Sequence, residues 1–448
     1  MTGRSLTDRL LAVRTARSAS PQPARPAERA EGLARWLGAQ LAIGDVGRVV
    51  RVERTITLRT ETAARLATLP PGCYFDTETT GLSTGAGTVI FLAAAARLQG
   101  RQLAVRQFLL PDYPDERALL RLVAAELGDA ARIVTYNGRA FDLPLLASRL
   151  TVHGLWQDLS GLPARHDDLL PVARRLWRRP LGGARLAEIE AGVLGLRRAS
   201  DCPSAEVPGR WFGYLRGGSP DLLADVLDHN AQDVASLALL EAQMVHLRDG
   251  GWRTASVLDH RGMAMELLRA GAVGEALAVL EQALEAADGS EAPAIRRLAA
   301  RLLVAAGDTD RAEAVWRPST RQASIDAAIA WIEVARIRER YCSDLPAALE
   351  AILSASRILD LAFALGRGGG MQAIGRVRLQ VESRRRRLQR RVAAAERRRE
   401  RHLGLRAGSR RARVPADRRP DQAGGSRYTN PGPPAARPAS TATHRPSE

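Results

Sequence analysis

The sequence predicts an α/β fold first, an all-α region after it and a basic, disordered tail, and three observations carry that prediction. Between about residues 71 and 247, apolar runs of strand length alternate with amphipathic helical stretches. Past Val245 the strand signals stop, and a helical pattern with a recurring alanine takes over. From Gly366 onward, arginine dominates.

The 448 residues, 45% of them hydrophobic, suffice for two or three compact cores. None of the basic residues is lysine, which fits a GC-rich coding bias as well as selection for guanidinium chemistry. The net charge of +17 suggests nucleic acid until it is located. Residues 366–448 hold 22 Arg against 6 acids, a surplus of 16, and the other 365 residues sum to only +1. The charge argument therefore concerns the tail, for which it predicts non-specific, salt-sensitive binding of polyanions. Cys73, Cys202 and Cys342 are scattered, with neither zinc spacing nor a disulfide framework, which fits a reducing cytosol. Arg4, Asp8, Arg9 and Arg14 interrupt any apolar run at the start, so no signal peptide is expected. The longest apolar stretch, Val89 to Ala96, is too short to span a bilayer, so no membrane partner is expected and the cytoplasm is the expected compartment.

Taken in order, Ser18 to Ala30 reads as flexible, Gly32 to Ala42 as a helix, and Val49 to Leu58 as an alternating strand. Cys73-Tyr74-Phe75 is a short strand ending in acid. Val89 to Arg97 and Leu103 to Leu110 read as a hairpin through Gly100. Glu116 to Leu127 is an amphipathic helix, and Arg132 to Tyr136 a strand that ends in Asn137-Gly138. In the helical region Ala276, Ala312 and Ala348 recur at equal steps of 36 residues, each after a Gly or Asp turn. Small residues at one frame position let helix pairs stack, so a divergent tetratricopeptide-like array is expected, with a plain helical bundle as the alternative. Arg376 to Arg413 is dense enough in arginine to be partly helical, and the Pro-, Ser- and Gly-rich remainder reads as disordered.

Three blocks carry chemistry. In Phe75-Asp76-Thr77-Glu78-Thr79-Thr80-Gly81-Leu82 two carboxylates lie two apart on a strand end, hence on one face. Acids that close repel unless a multivalent cation sits between them, and oxygen ligands suit Mg²⁺ or Mn²⁺. Asp142, in Asn137-Gly138-Arg139-Ala140-Phe141-Asp142, falls at a helix start, where the dipole alone would favour an acid. His229 and Asp233 are four apart and share a helix face, as a surface pair also would. Arg174, Arg175, Arg178 and Arg179 around Trp177 could grip phosphates beside a stacking ring, or could snorkel from an amphipathic helix with a core Trp.

The order of these blocks resembles the DnaQ-like, four-carboxylate (DEDD) 3′–5′ exonuclease superfamily. More narrowly it is similar to the YprB-type RNase H-like domain of bacterial proteins. That likeness also draws on His166-Asp167-Asp168, Leu194-Gly195, Asp201 and His229-Asn230, and it spans roughly Pro71 to Leu247. The resemblance implies an RNase H-like mixed sheet flanked by helices, with Asp76, Glu78, Asp142 and Asp233 as ligands of two Mg²⁺ or Mn²⁺ ions. It implies Thr79, Thr80, Gly81, Leu82, Asn137 and Phe141 as contacts to the terminal nucleotide of DNA or RNA. His229 would be the general base, although it occupies the spacing at which related branches carry tyrosine; orientation of metal or substrate is the other role open to it. The expected organisation is an N-terminal extension over 1–70, the exonuclease domain over 71–247, helical repeats able to dock a protein partner over 250–365, and an Arg-rich disordered tail over 366–448. A catalytically silent nucleic-acid-binding or scaffold protein, and a structure-specific endonuclease, are the competing expectations.

Overall fold

A computed structural model describes residues 26–44, 47–81, 85, 87–198, 202–286, 292–367 and 370–411. The strands are β1 (Gln40–Gly44), β2 (Gly47–Thr57), β3 (Cys73–Thr79), β4 (Ile90–Gln99), β5 (Gln102–Leu109), β6 (Ile133–Thr135) and β7 (His166–Asp168). They form one mixed sheet in the order β1-β2-β5-β4-β3-β6-β7. The pairs β3–β6 and β6–β7 are parallel and the others antiparallel. The helices of this part are α1 (Pro26–Leu37), α2 (Thr60–Ala67), α3 (Glu116–Gly128), α4 (Asp142–Val152), α5 (Trp156–Ser160), α6 (Leu170–Leu181), α7 (Leu186–Ile189), α8 (Val207–Leu215) and α9 (Ala224–Arg248). The expected RNase H-like α/β architecture, a mixed sheet with flanking helices, is what the chain adopts.

Two local expectations need correction. Helix α1 begins at Pro26, inside the stretch read as flexible, because proline's fixed φ suits a first helical turn. It stops at Leu37 rather than Ala42. Gly38 takes φ 60°, and the N–H of Ala39 closes on the Ala34 carbonyl at 2.8 Å, which ends the helix and releases β1.

Alternation along β3 divides the core. Cys73 and Phe75 face a cluster with Leu119, Val123 and Leu127 of α3, Leu145 and Leu146 of α4, and Trp211 of α8. Tyr74 faces the opposite cluster with Val234, Leu237 and Ala238 of α9. On that face β4 offers Ala94 and Ala96, with Leu98 partly buried at its far end, and α9 offers Ala231, Ala235 and Ala238. Small residues on both sides let the helix approach the centre of the sheet, and Ala94 lies directly opposite Asp76. A buried polar network then fixes its register. Tyr74 Oη donates to Glu241 Oε2 (2.7 Å), and Arg132 donates to Glu241 Oε1 (2.7 Å), to Asp167 Oδ2 (3.0 Å) and to the Pro70 carbonyl (2.9 Å). Removing one partner of such a buried pair costs about 3–5 kcal/mol, so the network clamps α9 to β3, β6 and β7.

Three helix pairs follow: α10 (His260–Arg269) with α11 (Val273–Ala286), α12 (Ala292–Ala305) with α13 (Thr309–Ala314), and α14 (Ile325–Arg340) with α15 (Leu345–Ala364). Ala276, Ala312 and Ala348 are fully buried, each in the second helix of its pair. The first pair docks directly on the α/β part. Asp259 donates its N–H to the Leu176 carbonyl (2.7 Å), and a Cβ at Gly262 would stand 1.8 Å from the Arg175 carbonyl oxygen. One apolar cluster runs from Leu58 to Ala299 without a break.

The arginine-rich segment expected from residue 366 continues as a long helix, α16 (Met371–Arg411). Ile374, Val377, Val381 and Leu388 are buried against the preceding helices, and Arg387 and Arg391 both donate to the buried Glu339. Apolar residues at helical spacing and one buried carboxylate thus order part of a stretch whose charge suggested disorder. From Ala394 to His402 every residue is exposed. Residues 412–448 lie outside the described ones. No helix among the described residues is long and apolar enough to cross a membrane.

Candidate active site

The site forms where the ends of β3 and β6 meet α9. Asp76 and Glu78 leave the same face of β3, and the register shifts between Glu78 and Thr79, a bulge that marks the end of regular pairing. Asp76 Oδ2 accepts from Asn230 Nδ2 (2.9 Å). Asn230 Oδ1 in turn accepts from Gln107 Nε2 (3.1 Å), so a chain from β5 through α9 orients the first acid.

The second acid arrives through a tight turn. Asn137 takes φ 70°, and a Cβ on Gly138 would lie 2.5 Å from Thr135 Oγ1, so only glycine fits there. Asp168 holds the turn from outside. Its carboxylate accepts the backbone N–H groups of Asn137 (2.9 Å), Arg139 (3.2 Å) and Leu170 (3.0 Å). His166 meets Thr135 Oγ1 at 2.8 Å through Nε2. His166 and Asp168 thus support the turn. Asp142 then opens α4, buried, with Oδ1 accepting from Thr77 Oγ1 at 2.5 Å.

Helix α9 supplies the remainder. His229 Nε2 lies 3.7 Å from Glu78 Oε1 and 3.5 Å from Asp233 Oδ2. Ligand atoms of Glu78, His229 and Asp233 all fall within 4.8 Å of one another. Burial raises every carboxyl of the cluster, and repulsion from its neighbours adds to this at Asp76 and Glu78. Asp76 is pushed well above the usual carboxylate range by burial and then by Asp233, Asp142 and Glu78. Glu78 is pushed up to about 8 by burial and then by Asp233 and Asp142, and Asp142 up to about 6, chiefly by burial. Asp233 is raised by burial against the pull of His229 and Arg198. Glu78, His229 and Asp233 form the group close enough to share one ion. Asp142 and Asp76 adjoin it as buried acids, the first raising Glu78 and the second itself raised by Glu78 and Asp233. The Arg198 guanidinium offsets part of this charge, so the residues fit a hard divalent cation.

Arg198 escaped the sequence reading. Its guanidinium is fixed by the buried Glu190 (Nε to Oε2 2.7 Å, Nη2 to Oε1 3.0 Å), and Nη2 also donates to Asp233 Oδ1. Nη1 stands 2.7 Å from His229 Nδ1. Ser236 Oγ adds a 2.5 Å hydrogen bond to Glu190. In a chain so rich in arginine this one carries no local signal.

The residues expected at the terminal nucleotide are less uniform. Thr79 Oγ1 is spent on the Gly81 carbonyl (2.7 Å), and Thr80 Oγ1 accepts the Val89 N–H (2.9 Å), so both hydroxyls close the turn after β3. Leu82 lies outside the described residues, as does Asp201. Asn137 is exposed and Phe141 half-buried, both flanking Asp142. Trp177 is buried, which leaves no ring for stacking beside the arginines of α6.

Residues 73–245 match a family model described as the RNase_H superfamily, so the chain contains a domain of that superfamily. "Uncharacterized protein YprB" of Bacillus subtilis (strain 168) is 43% identical over 173 residues, which cover 38% of this chain and 41% of that protein. The chain thus spans about two fifths of that relative's length. Among solved structures, the family B DNA polymerase of the hyperthermophilic archaeon Pyrobaculum calidifontis aligns with a TM-score of 0.33 at 15% identity, covering 56% of this chain and 35% of that one.

Proposed function

We propose that the chain is a metal-dependent exonuclease that hydrolyses phosphodiester bonds of nucleic acid from the 3′ end. The observation that carries this reading is the convergence of Asp76, Glu78, Asp142 and Asp233, drawn from a strand and two helices, into one mutually repelling cluster. These four would hold Mg²⁺ or Mn²⁺, two ions by the superfamily's pattern. Bound there, such ions would acidify the attacking water and neutralise charge on the departing oxygen. The protein's own contribution is positioning. Asn230 orients Asp76, Thr77 orients Asp142, and Arg198 holds one oxygen of Asp233 so that the other faces His229. His229, whose Nδ1 accepts from Arg198 and whose Nε2–H lies beside Glu78 and Asp233, would orient those carboxylates and the nucleophile. To serve as general base it would have to give up the Arg198 contact. The turn through Thr79, Thr80 and Gly81, and Leu82 next in sequence, would meet the terminal nucleotide by backbone groups, together with Asn137 and Phe141 from the segment before Asp142.

The test is Mn²⁺-dependent release of mononucleotides from a 3′-labelled oligonucleotide by wild type and by Asp76→Ala with Glu78→Ala. The reading requires release by the first and none by the second; equal activity in both removes it. One observation favours a second reading, a catalytically silent nucleic-acid-binding scaffold: Arg198 already supplies Asp233 with a counter-charge. The three helix pairs would then dock a protein partner. Failure of Mn²⁺ to bind would support this alternative.

A further inference from the structure

Beside the turn that carries Asp142 lies a second concavity, of about 500 Å³, between β7, the start of α6 and the end of α9. That volume is in the range of small-ligand sites. Its apolar lining comes from Leu69, Leu169, Pro171, Val172 and Met244. Its carboxylates are satisfied from within. Glu241 and Asp167 are bound to the buried Arg132, and Asp168 is occupied by the backbone of the turn. The rim, by contrast, carries Arg139, Arg165 and Arg248, all exposed. Arg165 has only a 3.4 Å contact to Asp167 with more than half of its side chain in water.

Apolar side chains able to meet sugar and base, together with exposed arginines able to meet phosphate, are the chemistry of a nucleic-acid strand. The cleft's lining includes Arg139, three residues before Asp142 in sequence, all three residues of β7, and Arg165 and Arg248. We propose that it is the track for the single-stranded segment of nucleic acid that extends beyond the reacting nucleotide. The inference deepens the exonuclease reading by naming where the substrate's unreacted part lies, and it rests on that reading only for the second arm of its test.

The first arm needs no catalysis. Full-length wild type and the Arg165→Ala, Arg248→Ala double variant are titrated with a short labelled single-stranded oligonucleotide in EDTA across a salt series. Each lost phosphate contact lowers the slope of log K against log salt by about 0.7 for a single strand, so a drop of about 1.4 is expected. The basic C-terminal segment contributes equally to both proteins and cancels. Both side chains end in solvent, and unchanged circular dichroism and melting confirm that the variant folds. In the second arm, with Mn²⁺, the KM for the oligonucleotide rises in the variant while hydrolysis of a dinucleotide is unchanged. Superimposable salt plots, or no binding by wild type, overturn the track. A slope difference with no hydrolysis by either protein sinks the exonuclease reading and leaves the track standing.

Discussion

The acid cluster makes the stability of the metal-free protein depend on pH in an unusual direction. Glu78 keeps its proton up to about pH 8, whereas the same carboxyl in an unfolded chain loses it near its ordinary value of 4.5. Between these values the folded state holds more protons than the unfolded one, so stability falls as pH rises. Below pH 4.5 the contribution is constant, and above 8 the loss is complete. Each pH unit within the window costs about 1.4 kcal/mol, so going from pH 5 to pH 8 removes on the order of 4 kcal/mol through this residue. Glu78→Gln keeps the shape of the side chain and removes the titration. In EDTA, wild type should lose on the order of 10 °C of melting temperature relative to this variant between pH 5 and pH 8. Differential scanning fluorimetry in constant-ionic-strength buffers reads the effect directly. Parallel melting curves for the two proteins across that range would refute the claim that burial beside Asp233 and Asp142 makes Glu78 hold its proton.

Other outcomes follow from single contacts. Gly138→Ala forces a Cβ into Thr135 and should displace the turn that leads to Asp142; nuclease activity should fall at least tenfold with a smaller loss of melting temperature. Arg198→Ala leaves the buried Glu190 without its cationic partner, held only by Ser236, and should cost about 3–5 kcal/mol, while adding Glu190→Gln should recover part of it; a melting temperature unmoved by the first change would contradict the clamp. Ending the chain after Ala394 removes the exposed part of α16 and all beyond it, and should flatten the salt dependence of polyanion binding without lowering the melting temperature. A cut at Gly366 would instead strip buried Ile374, Val377, Val381 and Leu388 from the helical array and should destabilise it.

What could be read from the sequence was local. The two acids on β3 and the His229–Asp233 pair on α9 stand out because strand and helix periods place them on one face without knowledge of the fold. Ala276, Ala312 and Ala348 announced their burial by a fixed step. What could not be read depends on partners far apart in the chain. Gln107 reaches Asp76 through Asn230, which is 123 residues from it in sequence. His166 and Asp168 stand out in the sequence as a structural pair, but that Asp168 holds the turn before Asp142 could not be read, because its strand is three polar residues that no β propensity marks. Arg198 is distinguished from the other arginines only by the buried Glu190 and by Asp233, both supplied by the fold.

Calorimetric titration of the full-length protein with Mn²⁺ at neutral pH, repeated in buffers of different ionisation heat, tests the caged-cation account most directly. Binding should be accompanied by proton release, because a carboxyl that holds its proton to about pH 8 must give it up to become a ligand. Asp76→Asn with Glu78→Gln should abolish both. Equal Mn²⁺ binding by wild type and this double variant, or binding without proton release, would contradict it.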